Sequence, residues 1–251
     1  MSKLTFCEIR KLALVILFLG LLAWMCYSLY NSTRKRNNRY YLTEEPLYAA
    51  RGAYEGFANV KVGGNSYKIH EDLENPVQAA ETMDKLNTVA HKLINHLVEK
   101  YIDNSGMTNI DPKYRDIVLG GIKDLKKNFK TANMIENVPE RSGGDTSYVI
   151  DKGNVFAMCL RDPKNGNQID PKFNALVFVL IHEMSHLFTT TFGHDTLFWN
   201  NFRFVLQEAV SIGLYESENY KQNGSPYCGI VISYSPLFDP KLIDYTIHPN
   251  F

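Results

Sequence analysis

The chain carries no excess charge. Its 27 Lys and Arg balance its 27 Asp and Glu. Bulk electrostatics therefore give no reason to expect a nucleic-acid partner. No internal repeat or low-complexity tract is visible, which excludes solenoids and arrays. Cysteine is scarce, with four residues and no Cys-x-x-Cys spacing, so cysteine-rich zinc folds are excluded. Cys7 and Cys26 fall in the N-terminal region. Cys159 and Cys228 can pair or stay as buried thiols, and the sequence leaves that open.

What is present is apolar. Hydrophobic residues make up 45% of 251 positions and aromatic residues 12%, enough for one well-cored domain and unlike a disordered chain. Leu12 to Tyr30 is an uncharged run of 19 residues. As a helix it would span roughly the ~30 Å hydrocarbon layer. Trp24, Tyr27 and Tyr30 lie toward its end, as an interfacial belt would. A cleaved signal peptide is the rival, but a bulky, then basic segment follows instead of a small-residue cleavage site. The sequence thus predicts a short tail over 1–11, a transmembrane helix over 12–30, a juxtamembrane stalk over 31–56 and a folded domain over 57–251. The expected location is a membrane, single-pass. Lys3, Arg10 and Lys11 precede the run and Arg34, Lys35, Arg36 and Arg39 follow it, which leaves topology undecided.

Within the domain, "NVKVGGNSYKIH" alternates around Gly63-Gly64-Asn65 and predicts a hairpin. A helical period begins at Asn75-Pro76 and runs to Tyr101. A second follows Asp111-Pro112 and ends near Phe129. "TSYVIDKGNVFAMCL" predicts another hairpin about Asp151–Asn154. Asp170-Pro171 opens a third helix through "KFNALVFVLIHEMSHLF", and Asp195 or Thr196 caps a fourth. "YCGIVIS" supplies short late strands. The fold class is α+β: a small sheet or hairpin plus helices.

The chemistry lies in "HEMSHLFTTTFGHD", residues 182–195. Residues four apart on a helix share a face, so the imidazoles of His182 and His186 can reach one tetrahedral ion. Glu183 is rotated about 100° from His182. It need not ligate, and can act as general base toward an attacking water. Random placement of this chain's histidines and glutamates would produce the frame about 1% of the time, so coincidence is the weaker explanation. A catalytic zinc takes three protein ligands and keeps one position open. His194 is the best third ligand, and Glu208 in "LQEAV" competes for the place. Asp195 can support a ligand or cap a helix. His91 and His96 read as surface or packing residues.

"HEMSHL…GHDTLFW" resembles the H-E-x-x-H…H-x-x-x-F-[WY] pattern of WLM, SprT-like and related minimal zinc metallopeptidases. The resemblance implies a zincin-like fold with the motif on a central helix, Zn2+ held by His182, His186 and His194, and Glu183 as catalytic base. It also implies that Phe198-Trp199 packs behind the third ligand. The interval from His186 to His194 is longer than in typical WLM domains, so the connecting loop differs. A wider stretch over residues 65–235 is similar to metallopeptidases encoded by large DNA viruses of protists. In zincins an edge strand before the motif helix binds substrate backbone, and "SYVI" or "VFAMCL" matches that place. The expected activity is a membrane-anchored, zinc-dependent endopeptidase acting on protein or peptide substrates. The rivals are a non-catalytic zinc-keeping structural or virion membrane protein, and a hydrolase of some non-peptide bond.

Overall fold

The structure, a computed structural model, describes residues 56–247 and Met25. The described stretch lies within a unit spanning Glu55–Phe251. Two strands come first, β1 (Phe57–Val62) and β2 (Asn65–His70), paired antiparallel about Gly63-Gly64 as the alternation predicts. Helix α1 (Pro76–Val98) follows, with Pro76 in its first turn and Asn75 before it at φ 56°. Its buried stripe, Ala79, Ala80, Met83, Leu86, Ala90, Leu93 and Leu97, repeats at helical spacing. On α1, Asp84 accepts hydrogen bonds from Asn65 Nδ2 (2.9 Å) and Tyr67 OH (2.7 Å), which fastens the hairpin to the helix.

One π turn, Glu99–Asp103, extends α1 before short 3-10 turns lead into α2 (Arg115–Asn128). Then come β3 (Met134–Asn137), β4 (Tyr148–Ile150), β5 (Val155–Cys159) and the small ribbon of β6 (Arg161–Asp162) and β7 (Gln168–Ile169). Helices α3 (Phe173–Phe188) and α4 (Thr196–Ser211) precede a last hairpin, β8 (Ser225–Tyr227) and β9 (Ile230–Ile232). The main sheet has the order β1-β2-β3-β5-β4. It is mixed: β3 runs parallel to β2 and β5, and β4 returns antiparallel to β5 at the sheet's end.

The α+β expectation stands, with the His-Glu-x-x-His motif on α3 in the core. The transmembrane helix is corrected. Among the described residues no helix is long and apolar enough to cross a membrane. The 23-residue α1 carries Glu81, Asp84, Lys85 and Lys92 along it. The apolar α3 has 16 residues, about 24 Å against a ~30 Å hydrocarbon layer, and it is spent on the protein core. The 12–30 run (Met25 apart), the 1–11 tail and the 31–56 stalk up to residue 55 lie outside the described residues.

Strand β3 has no counterpart in the sequence reading. It is buried throughout although it contains Glu136 and Asn137. Glu136 accepts from Arg161 Nε (2.6 Å) and from the His70 backbone N–H (2.9 Å), while Arg161 Nη1 donates to the Glu74 carbonyl (2.6 Å). Burial pushes the Glu136 carboxyl up, and Arg161 opposes that shift. A charged pair this deep survives because each partner is hydrogen-bonded as well as charge-matched.

Cys159, at the end of β5, is joined to Cys228, in the turn between β8 and β9, with Cα atoms 6.3 Å apart. The bond ties the late hairpin to the sheet. Beside it, Tyr227 OH donates to the Cys159 carbonyl (3.1 Å) and shares a 2.6 Å hydrogen bond with Ser147 Oγ, just ahead of β4.

Candidate metal centre

The run "ALVFVLI" is apolar on every side of α3, and all of it is buried. That makes the helix a fixed platform, since a helix without a polar face has to sit inside the core. Its packing against α2 is close. A Cβ on Gly121 of α2 would come within 2.2 Å of the Phe188 ring, so only glycine admits this approach.

The helix ends at Thr189, whose N–H and Oγ1 both donate to the Ser185 carbonyl (3.0 and 2.7 Å). Lys152, from the β4–β5 turn, closes the end. Its ammonium donates to the carbonyls of His186 (3.1 Å), Thr189 (2.5 Å) and Thr191 (2.9 Å). A cation there also complements the negative end of the helix dipole. The turn that delivers Lys152 depends on Gly153, at φ 107°, where a Cβ would meet the Asn128 carbonyl at 2.6 Å. Asn201 Nδ2 donates to Thr189 Oγ1 (3.0 Å) and anchors the helix exit to α4. The chain then bends through Gly193, at φ 78°. Asp195 caps α4, accepting from the Phe198 N–H (2.8 Å). Between the two roles open for Asp195, the structure selects the cap.

This path brings His194 back over α3. The ligand atoms of His182, His186 and His194 all lie within 4.8 Å of one another, and the Nε2 atoms of His182 and His194 are 2.9 Å apart. Two nitrogens at ~2.0–2.1 Å from a tetrahedral zinc stand about 3.3 Å apart, so the set fits that ion with small side-chain adjustments. Partial desolvation favours the neutral imidazole, the form that binds metal. It lowers His182 far below its usual range and His186 to about 3, with the neighbouring imidazoles adding to both, and it lowers His194 as well.

Aromatic rings wall the centre. Phe198 stacks on His186 at 4.3 Å, Phe202 meets His182 edge-on at 5.1 Å, and Trp199 leans on His194 at 5.7 Å. The pair Phe198-Trp199 thus packs against the histidines, as the resemblance implies.

Glu183 is buried on α3, one position after His182. Burial pushes its carboxyl up to about 8, and the negative charge of Asp145 adds to the shift. A cation among the histidines would act in the opposite sense. Asp145 belongs to a loop pinned by Asn137, whose Nδ2 donates to the carbonyls of Asp145 (2.6 Å) and Thr146 (2.7 Å).

Glu208 is not brought to this cluster. Its carboxylate is taken by Tyr101 OH (2.7 Å), His96 Nε2 (2.7 Å) and Lys100 Nζ (2.9 and 2.8 Å). The π turn at Glu99–Asp103 places Lys100 and Tyr101 beside His96 for this purpose. Glu208 is therefore a buried structural anchor between α1 and α4 and not part of the histidine cluster. His91 also stays clear of the cluster, bonded to Thr131 Oγ1 at 2.9 Å. The sequence offered no signal for Lys152 as the clamp on the motif helix. Its role needs a turn 34 to 39 residues upstream to meet three carbonyls in space.

No family model matches the chain, and no solved structure does. It is similar to "Uncharacterized protein R325" of Acanthamoeba polyphaga mimivirus, 26% identical over 181 residues, which cover 70% of this chain and 87% of that protein. It is also similar to "Uncharacterized protein 136R" of Invertebrate iridescent virus 6, 34% identical over 84 residues, which cover 33% of this chain and 47% of that protein. Both relatives are viral, and neither name carries an activity.

Proposed function

We propose that the chain is a zinc-dependent endopeptidase. The observation that carries this reading is the convergence of His182, His186 and His194 within 4.8 Å on a buried platform, with Glu183 beside them in the motif's general-base position. Three neutral imidazoles would hold the ion and leave one position open. A zinc ion bound there supplies Lewis acidity, polarising a carbonyl and acidifying water. Glu183 accepts the proton of the attacking water and delivers it to the departing amine. A purely structural zinc site would gain nothing from that carboxyl. The substrate backbone adds alongside β4, the last strand of the sheet, in extended form. The aromatic wall of Phe198, Trp199 and Phe202 keeps water from the far side of the histidines.

The test is cleavage of unstructured protein and of a peptide library by the purified, zinc-loaded chain. Cleavage that stops on chelation and returns with added zinc is the expected result. A zinc-loaded chain that cuts no peptide bond in either mixture would overturn the reading.

A further inference from the structure

We infer that Lys152 is a positioning residue that sets the zinc affinity of the histidine centre. Its ammonium holds the backbone between His186 and His194 in the bend that carries His194 to the other two ligands. The inference rests on the three-histidine centre of the peptidase reading, and not on cleavage. An ammonium has three N–H donors. Lys152 directs them to the carbonyls of His186, Thr189 and Thr191. The first belongs to a ligand, and the other two lie on the path to His194. Three carbonyl oxygens turned toward one point repel each other unless a donor sits among them. His194 is itself exposed, so its place depends on the backbone before it. Gly193, at φ 78°, gives that backbone no stiffness of its own.

The backbone at the lysine points the same way. The Gly153 N–H donates to the Ile150 carbonyl (3.0 Å) and closes a turn, with φ 45° at Asp151 and 52° at Lys152. Turns with two positive φ values favour Asn, Asp or Gly at their centre. A lysine there carries a conformational cost that asparagine or glycine would avoid. The ammonium, not the turn, therefore accounts for the lysine. The turn is also held from its other side. Asn133 Nδ2 donates to the Gly153 carbonyl (2.6 Å). A Cβ on Gly153 would lie 3.3 Å from Leu187 Cδ2, so the turn is seated directly on α3. The ammonium thus stands on a fixed base, against which the ligand-bearing segment is set.

The experiment measures zinc dissociation constants by competition with a chromogenic chelator. The purified wild-type, Lys152→Asn, Lys152→Met and Glu208→Ala chains are compared, with the unfolding midpoint of each zinc-free chain alongside. Asparagine suits the turn better than lysine, so Lys152→Asn removes the ammonium and keeps the turn. Both Lys152 variants should bind zinc about 10–100-fold more weakly than the wild type. Glu208→Ala, destabilised at a site away from the histidines, should bind within about twofold of the wild type, which separates affinity from stability. In a His194→Ala background, Lys152→Asn should weaken zinc binding by no more than about twofold, because the ligand it positions is gone. Wild-type affinity in either folded Lys152 variant would overturn this inference alone, as would a loss of the same size with and without His194. A wild-type chain that binds no zinc would overturn the metal centre and this inference with it.

Discussion

Glu183→Gln is expected to keep one zinc per chain and the wild-type unfolding midpoint, and to cleave peptides about 10²–10⁴-fold more slowly. Glutamine preserves the size of the side chain and some of its hydrogen bonding, but it cannot take a proton from water. The loss corresponds to about 3–5 kcal/mol of transition-state stabilisation. The position is buried, and an uncharged amide is no harder to bury than a carboxyl, so the fold should tolerate the change. Activity, zinc content and thermal unfolding measured on one preparation separate the chemical effect from the structural one. An active Glu183→Gln chain would remove the catalytic role from this residue. Asp145, whose charge reaches Glu183, would then be the next candidate.

Glu208→Ala should behave in the opposite way. The carboxylate collects His96, Lys100 and Tyr101, and its removal leaves the buried Tyr101 hydroxyl without an acceptor. Lys100 and His96 are partly exposed and can turn to water, which limits the loss. An order-of-magnitude cost is about 3 kcal/mol, from the unmet hydroxyl, the broken ion pair and the space left behind. Chemical unfolding should show that loss, while zinc content stays at the wild-type level. A variant that keeps its stability and loses its zinc would return Glu208 to the metal site.

These two glutamates mark how far the sequence could be read. Glu183 was legible because its role follows from spacing along one helix. The i, i+4 histidines and the residue between them need no tertiary information. The helices were legible for the same reason: apolar residues recur with the period of the element they build. Glu208 depended on His96, Lys100 and Tyr101, more than a hundred positions earlier. No local pattern links those residues, so the sequence left Glu208 as a possible ligand. Strand β3 was missed on similar grounds. Its four residues include a glutamate that can be buried only because Arg161 meets it from another strand. The pairing of Cys159 with Cys228 likewise had to await the approach of the late hairpin to β5. The membrane-spanning helix was read from an apolar run with aromatic residues toward its end and a basic segment after it, and no described helix combines that length with that apolarity.

The most direct measurement is the zinc content of the purified chain and of His194→Ala, by elemental analysis against protein concentration. Removal of one of three ligands should leave His182 and His186 as a weak two-point site on α3. One equivalent of zinc is expected in the wild type and a small fraction of that in His194→Ala, with little change in folding because His194 is exposed. A folded wild-type chain that takes up no zinc, or a His194→Ala chain that retains a full equivalent, would contradict the three-histidine centre.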